Sequence, residues 1–523
     1  MSCLLWVSVV MHNIIDTVVD LVFRLIYCSG ARSNKLRPIK HPFLINSASS
    51  LAAKIRTKQL SSEKLVQACI DRIVEVNADL NCVVDSRFQE ALAEARSVDQ
   101  FLESTSLSVD ELERDKPFLG VPFTCKESIQ AAGMNHTMGL VSRKGTKASE
   151  DSTVVARVKA GGGILLAVTN IPEFIWQESR NNVYGQTNNP YDFHRTAGAS
   201  SGGCAAAVAA CLVPMAVGSD TGGSIRMPCY FCGLFGHMPT TGLISTKGIY
   251  FRTGEETDPT MSTAGTLTRY AEDISPMLKL LVGENVDKLK LDTQVDMKQL
   301  RLSFVVDFNE MRMSRLNGET RTVLEKAVSY LEERCGSKVN KVTLPELSHS
   351  YNLWHYWLER EWHTLAYELG NKQYTVSGVR ELVKMVLGRS EFTVPTVLKL
   401  LESSLLPVAP KQWAEDKTAK LRQTLIEELG DDGVLVLPSF PTTAHQHYVP
   451  FFRPFNFCFW AIVNVLHFPA TQVPLGLSRD GLPLGLQVVA TPYNDHLCIA
   501  VAQELENAFG GYVPPCAVVS YYL

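Results

Sequence analysis

Ala197-Gly-Ala-Ser-Ser-Gly-Gly203 is followed by Cys204-Ala-Ala-Ala-Val-Ala-Ala-Cys-Leu212, then by Val213-Pro-Met-Ala-Val-Gly218 and Ser219-Asp-Thr-Gly-Gly-Ser224. This is a glycine–serine turn, an alanine-rich helix, a short apolar strand and a second glycine–serine turn. About ten helical residues run out roughly 15 Å, and a strand of about six returns roughly 20 Å. The geometry predicts that Ser200 and Ser224 meet at one edge of a sheet although 24 positions separate them. Both lie in glycine-rich turns, where backbone N–H groups can converge on a developing negative charge.

The same alternation continues outward. Apolar runs bounded by Gly or Pro occur at Phe118 to Cys125, Ile164 to Val168, Leu302 to Val306, Gly433 to Leu437, Thr471 to Leu475 and Leu484 to Val489. Helical patterns separate them, at Ser152 to Ala160, Gly318 to Glu333, Gln412 to Leu429 and Asn494 to Phe509. This predicts an α/β fold: one large domain with a mixed, largely parallel twisted sheet covered by helices on both faces. Leu353 to Leu406 is mostly helical and reads as a cap on that domain. The chain has 523 residues, of which 46% are apolar and 20% charged, with a net charge of −4. Such a composition excludes a disordered chain and gives no electrostatic case for binding nucleic acid. Thirteen scattered cysteines read as small buried hydrophobes rather than a disulfide framework.

The N-terminus departs from this body. Met1 to Cys28 is strongly apolar, yet Asn13, Thr17, Asp20 and Arg24 recur at helical spacing with Asp16 beside them. One stripe of an N-terminal apolar helix is therefore polar, and Asp20 and Arg24 could pair at i, i+4. A spanning anchor, a helix lying in the membrane interface and a helix packed on the protein's own core are all compatible with that pattern. Arg32, Lys35, Arg37 and Lys40 follow, a basic collar that favours a cytoplasmic body if the segment spans. The expected division is a membrane-associated helix over 1–30, a basic connector over 31–44 and a catalytic domain over 45–523, in an intracellular, membrane-associated protein.

A serine needs a base to become a nucleophile. Lys126 closes the Phe118 to Cys125 run, which puts its amine at a strand end, where the sites of α/β sheets gather. It can act as a base only when neutral, so burial must lower its pKa. A solvated lysine at a strand end and glycine-rich turns with no catalytic role fit the same residues.

The longer pattern is more specific. The segments Gly198-Ala-Ser-Ser-Gly-Gly203, Gly218-Ser-Asp-Thr-Gly-Gly-Ser-Ile-Arg-Met-Pro228 and Gly233-Leu-Phe-Gly-His-Met-Pro239 resemble the amidase signature family. So do Phe118-Leu-Gly-Val-Pro-Phe-Thr-Cys-Lys-Glu127, Thr169-Asn-Ile-Pro-Glu-Phe174 and Gly481-Leu-Pro-Leu-Gly-Leu-Gln-Val-Val489. The apolar N-terminus, Asn188-Asn-Pro-Tyr-Asp192 and Tyr270-Ala-Glu-Asp273 are most similar to the family's fatty-acid amide hydrolase branch. The resemblance spans about 45–510 and implies a Ser–Ser–Lys triad. Ser224 would be the nucleophile, Lys126 the base, and Ser200 the relay between them, held in the family by a cis peptide bond. It further implies an oxyanion hole of the backbone N–H groups of Thr221, Gly222, Gly223 and Ser224. Ser201 and Asp220 would support the site, and Arg226 would brace the turn. Three positions depart from the family's usual residues: Ala199 where Gly is common, Cys204 where an acidic residue or Gly is frequent, and Thr221 where the fatty-acid branch tends to have Ile.

The expected activity is a serine amidase hydrolysing fatty-acid amides to free fatty acid and amine through an acyl-enzyme. An amidase of small soluble amides and a silent lipid-binding relative are the competing readings. The expected partners are a lipid amide and a membrane, with a homodimer left open and nucleic acid excluded. No cofactor or metal is expected. Cys229-Tyr-Phe-Cys232 lacks the second pair that zinc needs, and His445-Gln-His447 reads as a surface pair in a loop. Asn189 to Thr196, polar and containing Pro190, reads as loop rather than strand. The Gly198-Ala-Ser-Ser-Gly202 segment therefore lacks the strand that a nucleophile elbow requires.

Overall fold

A computed structural model describes residues 3–28, 36–173, 177–249, 260–361, 365–405 and 407–519. The expectations for Arg32, Lys35, Phe174 and Leu406 lie outside the described residues. Eleven strands form one sheet: β1 (Val83–Ser86), β2 (Pro122–Lys126), β3 (Ile164–Thr169), β4 (Met215–Asp220), β5 (Phe235–Met238), β6 (Thr263–Thr268), β7 (Arg301–Phe304), β8 (Asn340–Lys341), β9 (Gly433–Pro438), β10 (Ala470–Leu477) and β11 (Pro483–Ala490). Their order across the sheet is β1-β3-β2-β4-β6-β5-β10-β11-β9-β7-β8. Helices cover it, and seven of them matter below: α1 (Cys3–Cys28), α2 (Gly202–Ala209), α3 (Arg226–Phe231), α4 (Ser350–Glu361), α5 (Gly378–Val386), α6 (Val394–Leu405) and α7 (Cys458–Leu466).

The α/β class and the mixed sheet are as expected, but parallel pairing is the minority. Four neighbouring pairs are parallel and six antiparallel. The reason lies in strands without an apolar signature and in short connections. Thr263-Ala-Gly-Thr-Leu-Thr268 and Phe235-Gly-His-Met238 supply the antiparallel middle. The connection between β10 and β11 is too short for anything but a hairpin. A second correction concerns the segment before the first serine turn. Asn188–Asn189 and Asp192–Thr196 pair as a small antiparallel ribbon outside the main sheet. Asn189 makes it possible, its amide donating to the carbonyls of Thr196 and Phe231 at 3.0 and 2.8 Å.

The site's position follows from the parallel half. β2 lies between β3 and β4 and is parallel to both. The register that sets Cys125 opposite Val217 carries Lys126 to the level of Gly218 and Ser219. α2 runs back under the sheet, buried along its whole length. Its alanines are small enough for that close approach.

α1 rests on the body through Asp16, Val19, Asp20, Phe23 and Tyr27, while Asn13, Thr17 and Arg24 of the expected polar stripe are exposed. Arg453, 2% exposed, bonds Asp16 Oδ1 and Asp20 Oδ1, each at 2.9 Å. The Arg453 guanidinium also donates to the Asp16 carbonyl at 2.9 Å. Asp20 therefore pairs with Arg453 rather than with Arg24, because a buried guanidinium needs a counter-charge more than an exposed one does. Phe23 packs edge-on against Phe452 at 5.8 Å, and Tyr27 meets the ring of His194 at 5.1 Å. The opposite face exposes Met11, Ile14, Ile15, Val18, Leu21, Val22 and Leu25. No helix among the described residues is long and apolar enough to cross a membrane.

Removing both carboxylates leaves Arg453 buried without a counter-charge. The double variant Asp16→Asn, Asp20→Asn should loosen α1 by about 2 kcal/mol, Asp20 being half-exposed and worth less than Asp16. Limited proteolysis should then release the helix at least about tenfold faster, and Arg453→Met in the same background should restore most of the resistance. Equal cleavage rates in all three proteins would show that the ion pairs do not hold α1.

Candidate active site

Lys126 is the last residue of β2, and its side chain is 1% exposed. Its amine makes a short hydrogen bond with Ser200 Oγ and lies 2.8 Å from Ser219 Oγ. The Ser219 carbonyl is 3.5 Å away. Burial lowers the Lys126 pKa to about 8, which means the folded chain disfavours the protonated amine by about 3 kcal/mol relative to water. The Cys204 thiol lies near the amine, pushed by burial up to about 11 and hydrogen-bonded with Thr169 Oγ1 at 2.9 Å. It is therefore a neutral neighbour, and this position places no carboxylate beside the lysine.

The two glycine–serine turns come together as the helix–strand lengths required. The Ser201 N–H donates to the Ser224 carbonyl at 3.1 Å, and the Ser201 hydroxyl reaches the Ser219 carbonyl at 3.4 Å. Ser200 is 7% exposed, and Ser224 is half-buried at the opening. The Ala199–Ser200 peptide is cis. The positive φ of this turn falls on Gly198, not on Ala199, so the extra methyl meets no backbone conflict. Among the described residues the Ser224 hydroxyl makes no hydrogen bond to Ser200. Catalytic hydrogen bonds in unliganded enzymes are often long and tighten on substrate.

Asp220 and Arg226 form the fully buried frame behind Ser224. Burial pushes the Asp220 carboxyl up, but the charge and hydrogen bonds of Arg226, with the Ile225 and Gly223 N–H groups, outweigh it and hold the pKa below the usual value. Arg226 reaches Asp220 at 3.2 Å through Nε and again through Nη2. It also donates to Gln487 Oε1, Asn464 Oδ1 and the Trp460 carbonyl at 3.0, 2.6 and 3.1 Å. Every face of this buried ion pair is thus hydrogen-bonded, the condition under which such a pair is tolerated.

That frame corrects one member of the expected oxyanion hole. The Gly223 N–H donates to Asp220 Oδ1 at 2.7 Å and is already committed. Among the described residues the N–H groups of Thr221, Gly222 and Ser224 have no protein acceptor, so three donors remain. Sequence reasoning missed Ser219, Asn464 and Gln487. Ser219 sits inside the quoted turn and could have been found from its register opposite the end of β2. Asn464 and Gln487 lie far along the chain in apolar surroundings and carry no local signal. It also missed Glu127, whose carboxyl, lifted by burial to about 7, accepts from Thr137 Oγ1 and the Met138 N–H at 2.7 and 3.0 Å.

His445 and His447 are buried, 4% and 6% exposed, and not on the surface. Burial and nearby arginines keep both neutral, His447 down at about 3. His447 Nε2 faces Asn188 Oδ1 and the Phe193 carbonyl at 3.0 and 3.1 Å, and the Tyr27 hydroxyl of α1 reaches toward its carbonyl at 3.5 Å. The loop looked solvated because its partners, the ribbon and α1, are remote in sequence.

Known proteins bear on this arrangement. The amidase family profile matches residues 64–499. Fatty-acid amide hydrolase 2 of Homo sapiens is 42% identical over 490 residues, 92% of either chain. Fatty-acid amide hydrolase 2-B of Danio rerio is 41% identical over 506 residues, 95% of this chain and 96% of its own. Among solved structures, 6-aminohexanoate cyclic dimer hydrolase complexed with substrate superposes with a TM-score of 0.72 at 23% identity, over 89% of this chain and 97% of its own. At that identity the superposition speaks for the fold alone. The family match and the two relatives go further: the chain belongs to the amidase family, enzymes that hydrolyse carbon–nitrogen amide bonds.

Proposed function

We propose that this chain hydrolyses fatty-acid amides through a Lys126–Ser200–Ser224 relay while resting on a lipid surface. The observation that carries the chemistry is the contact between a buried, readily neutral lysine and Ser200, one turn away from Ser224. Neutral Lys126 takes the proton of Ser200 as Ser200 takes that of Ser224, and the Ser224 oxygen attacks the amide carbon. The carbonyl oxygen, now anionic, accepts from the N–H groups of Thr221, Gly222 and Ser224. The proton stored on Lys126 returns through Ser200 to the nitrogen, the amine leaves, and water repeats the sequence on the acyl-enzyme to release the acid. No metal or cofactor enters these steps.

Apolar surface supports the lipid part. A groove of about 750 Å³ runs between α5, α6 and residues 448–452, walled by Met385, Val394, Leu398, Phe451 and Phe452 with Arg180 at one side. Phe452 also packs on Phe23 of α1, so the groove borders that helix. Val383, Val386 and Leu387 of the α5 region are 56%, 80% and 62% exposed. Exposed apolar side chains clustered around a groove mark binding surfaces for lipid or protein. An interfacial position suits α1 better than a spanning one, since Asp16 and Asp20 are engaged with the body.

Four outcomes are expected. Ser224→Ala should fold and lose acyl-enzyme formation entirely, with a fluorophosphonate label absent; label on Ser200 or Ser201 would reverse the assignment. The rate of Ser224 labelling should climb about tenfold per pH unit at acid pH and level off near 8, because the base works only when its amine is deprotonated; a flat profile between pH 6 and 9 would exclude Lys126 as that base. Lys126→Ala should impair amides more than matched esters, since the amine leaving group also needs the stored proton. Across amides of increasing acyl length, kcat/KM should rise by up to about fourfold per methylene while apolar wall remains. A flat series, with full-length protein never sedimenting with vesicles, would favour the small-amide reading.

A further inference from the structure

The loop that would bind the anionic oxygen is held between two tryptophans. On one side Trp354 of α4, 4% exposed, directs its indole N–H to the Thr221 carbonyl at 3.0 Å. A Cβ at Gly222 would stand 2.9 Å from that same nitrogen, so the indole lies directly on the peptide that joins Thr221 to Gly222. On the other side Trp460 of α7 closes on Gly223, where a Cβ would stand 2.5 Å from the Trp460 Cβ and where φ is +107°. The loop is too tightly framed for any residue but glycine at either position.

We propose that Trp354 is a positioning residue for this oxyanion loop, its indole N–H fixing the Thr221–Gly222 peptide plane so that the Gly222 N–H faces the reacting carbonyl oxygen. The inference rests on the reading of Ser224 as nucleophile. In a trans peptide the C=O and the following N–H point in opposite directions. With the Thr221 carbonyl held by α4, the Gly222 N–H must point away from α4. The indole also forbids the alternative. Its nitrogen is a donor only, so a flipped peptide would set the Gly222 N–H against the indole N–H.

Two neighbours make the indole a firm support. Phe457 meets the ring edge-on at 4.7 Å. The Lys399 amine stands 5.9 Å above it, itself tied to Glu402 at 3.0 Å and the Tyr351 hydroxyl at 3.2 Å. The same loop is fixed from behind by the Gly223 N–H on Asp220. Its geometry is thus set from both sides before substrate arrives, as electrostatic preorganisation requires.

The test uses the full-length chain and a long-chain alkyl trifluoromethyl ketone. The Ser224 oxygen adds to the ketone carbon, the serine proton passes through Ser200 to Lys126, and the ketone oxygen becomes the anion that the loop must hold. Trp354→Phe keeps an aromatic ring and removes the donor. It should bind the ketone about 10- to 100-fold less tightly and lose kcat by a similar factor, with KM and the affinity for the product fatty acid changed by less than about threefold. Trp354→His keeps a ring N–H and Trp354→Leu does not, so this pair repeats the comparison at smaller volume should the Phe variant not fold; the His variant should bind the ketone more tightly than the Leu variant. Unchanged ketone affinity in Trp354→Phe would overturn the proposal, as would equal losses for ketone and fatty acid or equal behaviour of the His and Leu variants. Fluorophosphonate labelling of the parent chain reports on Ser224 separately. A parent labelled elsewhere removes the nucleophile reading and this inference together, whereas a parent labelled on Ser224 with an unaffected Phe variant removes only the inference.

Discussion

An amine kept out of water governs this structure. The Lys126 side chain ends in a place where its charged form is disfavoured, and the surrounding design follows from that. Lys126 reaches such a place from the interior of the sheet. β2 supplies it by lying between two parallel neighbours with every residue buried. The amine must still be hydrogen-bonded, and Ser219 and Ser200 do this from opposite turns. The charge buried behind Ser224 is matched, in the Asp220–Arg226 pair with its amide and carbonyl partners. The candidate site combines one buried amine and one satisfied ion pair, sharing the turn that carries Ser224.

How much of this was legible in the sequence depends on whether the signal was local. Ser200 and Ser224 could be brought together because the helix and strand between them are of ordinary length, and the lengths nearly cancel. Lys126 could be placed because an apolar run ends at it. What escaped was non-local or carried by polar strands. β6 is fully buried yet half threonine, with the Thr263 and Thr268 hydroxyls donating to the Ala264 and Tyr270 carbonyls and that of Thr266 without a partner among the described residues. The commitment of the Gly223 N–H to Asp220 is a matter of side-chain direction that no spacing rule contains. Asn464 and Gln487, both fully buried, touch the frame from more than 230 positions away.

The N-terminal helix is a case where the pattern was right and its orientation was not derivable. A polar stripe on an apolar helix can face water, a membrane's headgroups or a protein. Here only Asp16 and Asp20 face the protein, because Arg453 is buried at the docking surface and takes both carboxylates, while Asn13, Thr17 and Arg24 face outward. The apolar face is left outward as a consequence. The same docking presses Tyr27 toward His194 and His447, beside the ribbon that leads into the Ser200 turn. The N-terminal helix thus leans on the scaffold of the Ser200 turn.

The central claim is that Lys126 is neutral when the enzyme works, and the most direct measurement is the titration of that amine itself. Carbon-13 labelling of the lysine ε-carbons, with the Lys126 signal identified by its loss in Lys126→Arg, would follow its protonation by NMR in the full-length protein. The structure predicts a midpoint at about 8. A Lys126 amine that stays protonated up to about pH 10, like a lysine in water, would contradict the account.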